Sequence, residues 1–289
     1  MTLSVRVRPL EPARVAIRRA LVRRRLRSVA AGKSQMLRID LHDGEIDSPA
    51  LLVELVAPLD PDSDTFRRLA SAMKRSGAAD AMIDGLASRE SIVKARSARI
   101  AGAMRIEQVV PWVAPLLWSR EPAVRSAAAH ALGRIGGVRS ADALLMAIQR
   151  IGPKPSLIVA LARAAPDLFL EAVLGASHPR AVQPAVAMAA ALRGRRTATA
   201  ALILQLRFGS RRARTASIRA LGRLDAAAAI PELALALGDR DWWVRRSAAK
   251  ALGAIPGYQP GPQFRMCLSD RDLRVRRSAL YALRRLSRQ

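Results

Sequence analysis

The sequence predicts an all-α protein, an α-α superhelix of about eight stacked two-helix repeats led by a basic N-terminal helix. Three observations predict it. Half of the 289 residues are apolar but only 3% are aromatic, and alanine and leucine, both strong helix formers, carry most of the apolar share. Long alternating runs of β-branched residues, the mark of sheets, are missing. One ten-residue phrase also recurs on a common period, the signature of a repeat architecture.

Residues 1–38 come before the repeats. Glu11 to about Ala31 sets Val15, Val22, Leu26 and Val29 on a narrow apolar stripe at helical spacing. Arg14, Arg18, Arg19, Arg23, Arg24, Arg25 and Arg27 surround that stripe, which makes the segment a basic amphipathic helix. Residues 39–61 form a loop and a short helix leading into the array. The loop starts within the N-terminal segment and runs over 32–49, marked by Gly32, Gly44 and Pro49; Met36–Leu41 suits a short extended piece, and Ala50–Ala57 suits the helix. Gly32-Lys33-Ser34 ends like a phosphate-binding loop, but that motif needs a glycine five positions before Gly32, where Arg27 stands.

The array itself covers 62–289. Its phrase is Val124-Arg125-Ser126-Ala127-Ala128-Ala129-His130-Ala131-Leu132-Gly133, and it returns from Val244 to Gly253 and from Val275 to Arg284. Weaker copies start at Val93 and Ala213, so that 93 and 124, and again 213, 244 and 275, stand 31 residues apart. The rhythm continues through Pro155 and Val182 where the phrase decays, and a degenerate unit starts at Phe66. On a helix, Val244, Ala248, Leu252 and Ile255 share one face. The alanines admit a close neighbour, and Gly253 is placed to end the helix. Glu121, Asp241 and Asp272 each sit three residues before the valine, where an acid caps a helix and complements its dipole. A turn and a second apolar helix follow each phrase, at Ala141–Gln149, Pro166–Leu174, Ala198–Phe208 and Ile230–Leu237. A pair this small cannot bury its faces alone and must stack.

Residues 229–253, running from Ala-Ile-Pro-Glu-Leu to Asp-Trp-Trp-Val-Arg-Arg-Ser-Ala-Ala-Lys-Ala-Leu-Gly, resemble the short HEAT-like repeat also seen in phycobilin lyase subunits. The resemblance is strong over 119–150 and 209–289, fair over 62–118 and poor over 151–208. It implies a ladder of hydrogen-bonded charges between neighbouring units, in which the acid before the phrase meets the arginine within it. By position Glu121, Arg125, Asp241, Arg245, Asp272 and Arg276 fill those places, a structural role rather than a ligand contact. It also implies that second helices line a concave surface and first helices face outward.

Residues suited to chemistry are few. His42, His130 and His178 lie in different units. HEAT-like metal hydroxylases hold iron with paired His-Glu motifs, and no His-Glu dipeptide occurs here. No Cys/His spacing suits zinc. Other HEAT-like proteins are DNA alkylpurine glycosylases, whose tryptophans and aspartate would correspond to Trp112, Trp118, Trp242 and Trp243 with Asp239 or Asp241. The competing reading makes those tryptophans fillers between repeats and Asp241 a helix cap. No catalytic residue, metal ligand or cofactor is assigned, and the chain is expected to act by binding.

The formal charge is +26, from 44 arginines and only five lysines against 23 acids. Residues 1–38 carry net +10 and residues 271–289 net +6. Such a balance favours nucleic acid, acidic protein or anionic lipid; a GC-rich genome would also produce it. The second helices are nearly uncharged apart from Asp142, Asp167, Glu171, Arg207, Glu232 and Arg265, while Arg246 and Arg277 point outward from first helices. A groove for a phosphate backbone would show the reverse, so the concave face suits a protein segment. The leading expectation is a non-catalytic protein–protein interaction scaffold or adaptor. Two alternatives stand beside it: nucleic-acid binding through basic surfaces, and a peripheral membrane adaptor holding anionic lipid through the N-terminal helix. The single cysteine, Cys267, excludes an internal disulfide. No apolar stretch nears 18 residues and no apolar signal core follows the N-terminus, so the expected location is cytoplasmic, with membrane association at most peripheral.

Overall fold

A computed structural model of the chain describes residues 11–36, 48–56, 58–60, 62–76, 78–175 and 182–287. Most of the extended piece expected at 36–41, along with His42 and His178, lies outside the described residues. Every regular element among those described is helical. They divide into two compact units, Met1–Ile135 and Gly136–Gln289. The division falls inside the stretch 62–289 that the repeat rhythm marks as one array.

The first unit opens with α1 (Glu11–Ala30), which packs on α2 (Ser48–Val56) and α3 (Asp64–Arg75). Val22, Leu26 and Val29 are buried there, so the apolar stripe of α1 is a packing surface. Helix α2 begins two residues earlier than its sequence suggests, because Pro49 needs no hydrogen-bonded N–H in a first turn. Then come α4 (Ala78–Ala87), α5 (Ser91–Ala103), α6 (Val110–Val113) between two 3-10 turns, and α7 (Pro122–Ile135). Ser63 caps α3 by accepting the N–H of Phe66.

The second unit alternates first helices α9 (Pro155–Ala164), α11 (Val182–Leu192), α13 (Arg211–Arg223), α15 (Trp242–Leu252) and α17 (Leu273–Leu286) with second helices. The second helices are α8 (Gly137–Ile151), which opens the unit, then α10 (Asp167–Gly175), α12 (Thr199–Phe208), α14 (Ile230–Leu235) and α16 (Pro262–Met266). Each first helix packs on the next, from α9 through α17, and α12, α14 and α16 form a second row. Helices α5, α7, α13, α15 and α17 start at residues 91, 122, 211, 242 and 273, two residues ahead of the phrase every time. The sequence period is therefore the structural period. Val124, Ala128 and Leu132 of α7, and Val244, Ala248 and Leu252 of α15, are all fully buried.

The phrase glycine does something other than what its position suggests. Gly253 closes α15 with an ordinary right-handed backbone, φ −68°, so the turn does not require glycine there. Contact does. A Cβ on Gly253 would stand 2.3 Å from the Ala282 Cβ, one on Gly222 2.8 Å from the Ala251 Cα, and one on Gly102 2.6 Å from the Ala131 Cα. Each glycine thus admits the backbone of the next first helix. The left-handed residue that ends the helix comes later and need not be glycine: Arg105 has φ +50° and Asp225 φ +49°. The N–H of Ala226 reaches back to the carbonyl of Leu221 at 3.1 Å, the long bond of a Schellman closure.

Candidate binding surfaces

The phrase arginines turn inward, toward their own loop. Arg125 donates to the carbonyls of Ser119 and Arg120 at 2.8 and 2.7 Å. Arg245 does the same to Asp239 and Arg240 at 2.9 and 3.2 Å, and Arg276 to Asp270 and Arg271 at 2.6 and 3.4 Å. Each guanidinium collects carbonyls that the preceding second helix leaves unpaired where it ends. Arg245 also forks both oxygens of Asp270 at 2.6 and 2.8 Å, with side chains only 7% and 9% exposed. That fork holds the Asp270 carboxyl below the usual carboxylate range and raises Arg245 above its ordinary value. One unit earlier, Arg214 reaches Asp239 at 3.1 Å.

The acid meeting the arginine is therefore not the one expected. Asp241 and Asp272 serve their own helices: the carboxylate of Asp241 accepts the N–H of Trp243 at 2.9 Å, and that of Asp272 the N–H of Arg274 at 2.8 Å. Asp241 also faces Arg211 at 3.6 Å, and Asp272 pairs with Arg274 at 3.1 Å. Glu121 holds the matching place, its backbone carbonyl taking the Arg125 N–H at 3.1 Å. The acids that bridge units lie two residues further upstream, at Asp239 and Asp270, each 25 residues after its arginine. They also accept the N–H two residues on, at 2.8 Å in both cases, as Ser119 does for Glu121 at 3.3 Å. Their spacing of 31 residues was the signal that would have found them. Of the residues considered for base excision, Asp239 and Asp241 are thus committed to Arg214, Arg211 and a helix cap. Trp242 and Trp243 stack on each other at 4.2 Å, with the Arg274 guanidinium 3.5 Å from the Trp242 ring.

The second helices of the second unit leave a registered row of apolar side chains uncovered. Met146, Leu204, Leu235 and Met266 stand 22 residues after the unit starts at 124, 182, 213 and 244. They are 61, 55, 74 and 74% exposed. Phe208, one turn beyond Leu204, is 82% exposed. An Arg207–Glu232 ion pair links α12 to α14 beside this row. In the first unit, all seven candidate arginines of α1 are exposed, and Arg23 meets Glu54 of α2 at 3.4 Å. Ile17 and Leu21, 61 and 46% exposed, share a face with Arg14, Arg18 and Arg25.

Three or more His, Cys, Asp or Glu side chains placed to hold a metal ion are not found together among the described residues. No described helix is long and apolar enough to cross a membrane. Cys267 is buried, and that burial pushes its thiol above the ordinary value.

Stacked helix pairs, an inter-unit arginine–aspartate bridge and a registered open face define a helical-repeat protein. The HEAT-repeat family model matches residues 79–152 and 199–284, more than half of the chain, and the chain belongs to the HEAT-repeat family. Among solved structures it is similar to human deoxyhypusine hydroxylase in complex with glycerol, at 21% identity over 98% of this chain and 100% of that one, TM-score 0.37. It is also similar to an engineered protein, at 20% identity over 83% and 78% of the two chains, TM-score 0.36. The complex of CpcE and CpcF of phycocyanin lyase from Nostoc sp. PCC7120 matches at 20% identity over 87% and 98%, TM-score 0.28. No curated protein sequence matches the chain.

Proposed function

We propose that the chain is a non-catalytic scaffold that binds an amphipathic helix of a partner protein across its second helices. The observation that carries this reading is the row Leu204, Leu235 and Met266, one uncovered apolar side chain at the same position of three successive repeats. Single exposed leucines need no explanation, but a registered apolar row is the mark of an interaction site. Neighbouring helices lie about 8–10 Å apart. Apolar residues seven apart on a partner helix span about 10.5 Å, so such a helix would meet one row residue per heptad.

The test places a photo-crosslinking amino acid at Leu235 and, as a control, at Arg99, which is exposed on the first helix α5. Crosslinked peptides are then identified by mass spectrometry. Peptides with apolar residues at helical i, i+3 or i+7 spacing, captured from position 235 and lost in a Leu204→Glu/Met266→Glu background, support the reading. Equal capture from both positions refutes it.

A second reading rests on α1, where Ile17 and Leu21 protrude among Arg14, Arg18 and Arg25. An apolar pair ringed by arginines suits the surface of an anionic bilayer. Flotation with anionic vesicles, lost in an Ile17→Ser/Leu21→Ser variant, is the expected outcome; unchanged flotation removes this reading.

A further inference from the structure

The first helices α13 and α15 enclose a groove of about 410 Å³ on the face that carries Arg246 rather than the inward-turned Arg245. Its floor is Gly222, Ala251 and Ala254, with Ser247 beside them. Close approach at the Gly222–Ala251 contact makes this floor shallow and leaves the long side chains as walls. Those walls are Arg219 and Arg223 from α13, and Arg246 and Lys250 from α15. Within each helix the two cations are four residues apart, one above the other at about 6 Å of rise, and the helices lie about 8–10 Å apart. The four cationic side chains therefore spring from the corners of a small rectangle.

No acid lines the groove, and none of the four cations joins an ion pair among the described residues. Arg246 makes only neutral contacts, donating to the Ser278 hydroxyl at 3.4 Å and leaning over the Trp243 ring at 5.7 Å. The contrast with the neighbouring arginines is sharp, because Arg211, Arg214 and Arg245 each have an aspartate. Burial, and then the nearby charges of Arg246 and Arg219, lower the proton affinity of Lys250. Four like charges around one groove gain from a compact anion of matching charge.

We propose that this groove binds a compact ligand carrying two or more phosphate groups. Guanidinium forks match phosphate oxygens bidentately, and the lysine adds a point charge. The site lies on the helix row opposite in role to the apolar row proposed above, so each idea can fail without the other.

Titration calorimetry of the full chain with sodium tripolyphosphate at low salt is the direct test. One equivalent is expected to bind, and Arg223→Gln/Lys250→Gln is expected to weaken it about a hundredfold, tenfold for each charged contact removed. Both residues are exposed and join no ion pair among the described residues, and the circular-dichroism spectrum should stay unchanged. A control variant, Arg89→Gln/Arg99→Gln, at two exposed residues outside the groove, should bind as wild type does. Vesicles carrying a phosphoinositide with several phosphates separate the sources of the chemistry. Groove-dependent vesicle binding assigns a lipid headgroup, and groove-dependent binding of tripolyphosphate alone assigns a soluble ligand. No binding of either, equal losses in groove and control variants, or a single-stranded oligonucleotide that saturating tripolyphosphate fails to displace overturns the proposal.

Discussion

Replacing Gly253 by alanine exchanges one hydrogen for a methyl group, yet it should loosen the end of the repeat stack. The new Cβ would lie 2.3 Å from the Ala282 Cβ and 2.8 Å from its Cα. Carbon atoms at rest stand about 3.5–4.0 Å apart, so α15 and α17 must part by about 1.5 Å at this point. Val244, Ala248, Val275 and Ala279 are wholly buried between and around these helices, and a gap of that order forfeits a good part of their dispersion contacts. Overpacking of this kind costs about 1–3 kcal/mol. Against it stands the lower entropy of an unfolded alanine at a backbone angle alanine accepts, worth about 0.4–1 kcal/mol. The net expectation is a loss of about 1–2 kcal/mol.

Two measurements follow the loss. Urea unfolding monitored by helical circular dichroism gives the global value, although repeat arrays open in parts. The reaction of Cys267 with a thiol reagent reports opening of the same end, since this buried thiol sits in the 3-10 turn packed on α17. Its reaction should speed about 5- to 30-fold, the same free energy read as a population. Adding Ala282→Gly removes the opposing Cβ, and the pair of substitutions should couple by about 1–2 kcal/mol. A Gly253→Ala protein as stable as wild type, or effects that simply add, would refute the close-approach argument.

Asp270→Ala strands the Arg245 guanidinium in a site 7% exposed and should cost about 3 kcal/mol in urea unfolding, at the low end for a broken buried pair, because the Asp239 and Arg240 carbonyls remain as acceptors. The same carboxylate gives the protein an acid limb. Its folded pKa is depressed by Arg245, so its stabilisation is complete above the unfolded value of about 3.9 and disappears as pH falls through the folded value. Thermal midpoints should drop below about pH 4 in wild type, and less steeply in Asp270→Asn. Asp241→Ala removes the cap on Trp243 N–H and should cost about 1 kcal/mol, measured by chemical denaturation, whereas Asp241→Asn should keep most of it.

The repeat was legible in sequence because it is local: a phrase with its own helical face and its own cap announces a first helix wherever it occurs. Helices start at 211, 242 and 273, each two residues ahead of the phrase, although the phrase glycine serves close packing rather than helix termination. Contacts between units were harder to see. Asp241 and Arg245 are four residues apart and suggest a pair, but the fold turns Arg245 toward Asp270 in the next unit. Only alignment of whole units, placing Asp239 over Asp270 and Ser119 at the corresponding turn, exposes that partner. The open apolar row had the same concealment. Leu204, Leu235 and Met266 look like ordinary members of apolar helices until burial shows which member of each is left uncovered. Over residues 151–208, where the phrase decays, different contacts join the helices, with Arg193 donating to the Arg163 carbonyl at 3.0 Å and Arg195 pairing with Asp167.

A charge of +26 invites a single explanation, and adjacent residues show why it has none. Arg245 and Arg246 differ by one step of about 100° around α15. The first is 6% exposed and makes contacts to Asp270 and two carbonyls; it is mortar between repeats. The second lies on the open side, touches only Ser278 and Trp243, and shares a groove with Lys250 of its own helix and with Arg219 and Arg223 across it. Salt should therefore act unequally on them. A buried forked pair is screened little, while exposed cations lose their pull on an anion beyond a Debye length of about 8 Å at physiological ionic strength. Raising salt should leave the unfolding midpoint of the second unit nearly unchanged while weakening any anion held at Arg223 and Lys250. If both fell together, the division of the arginines by helix face would be wrong.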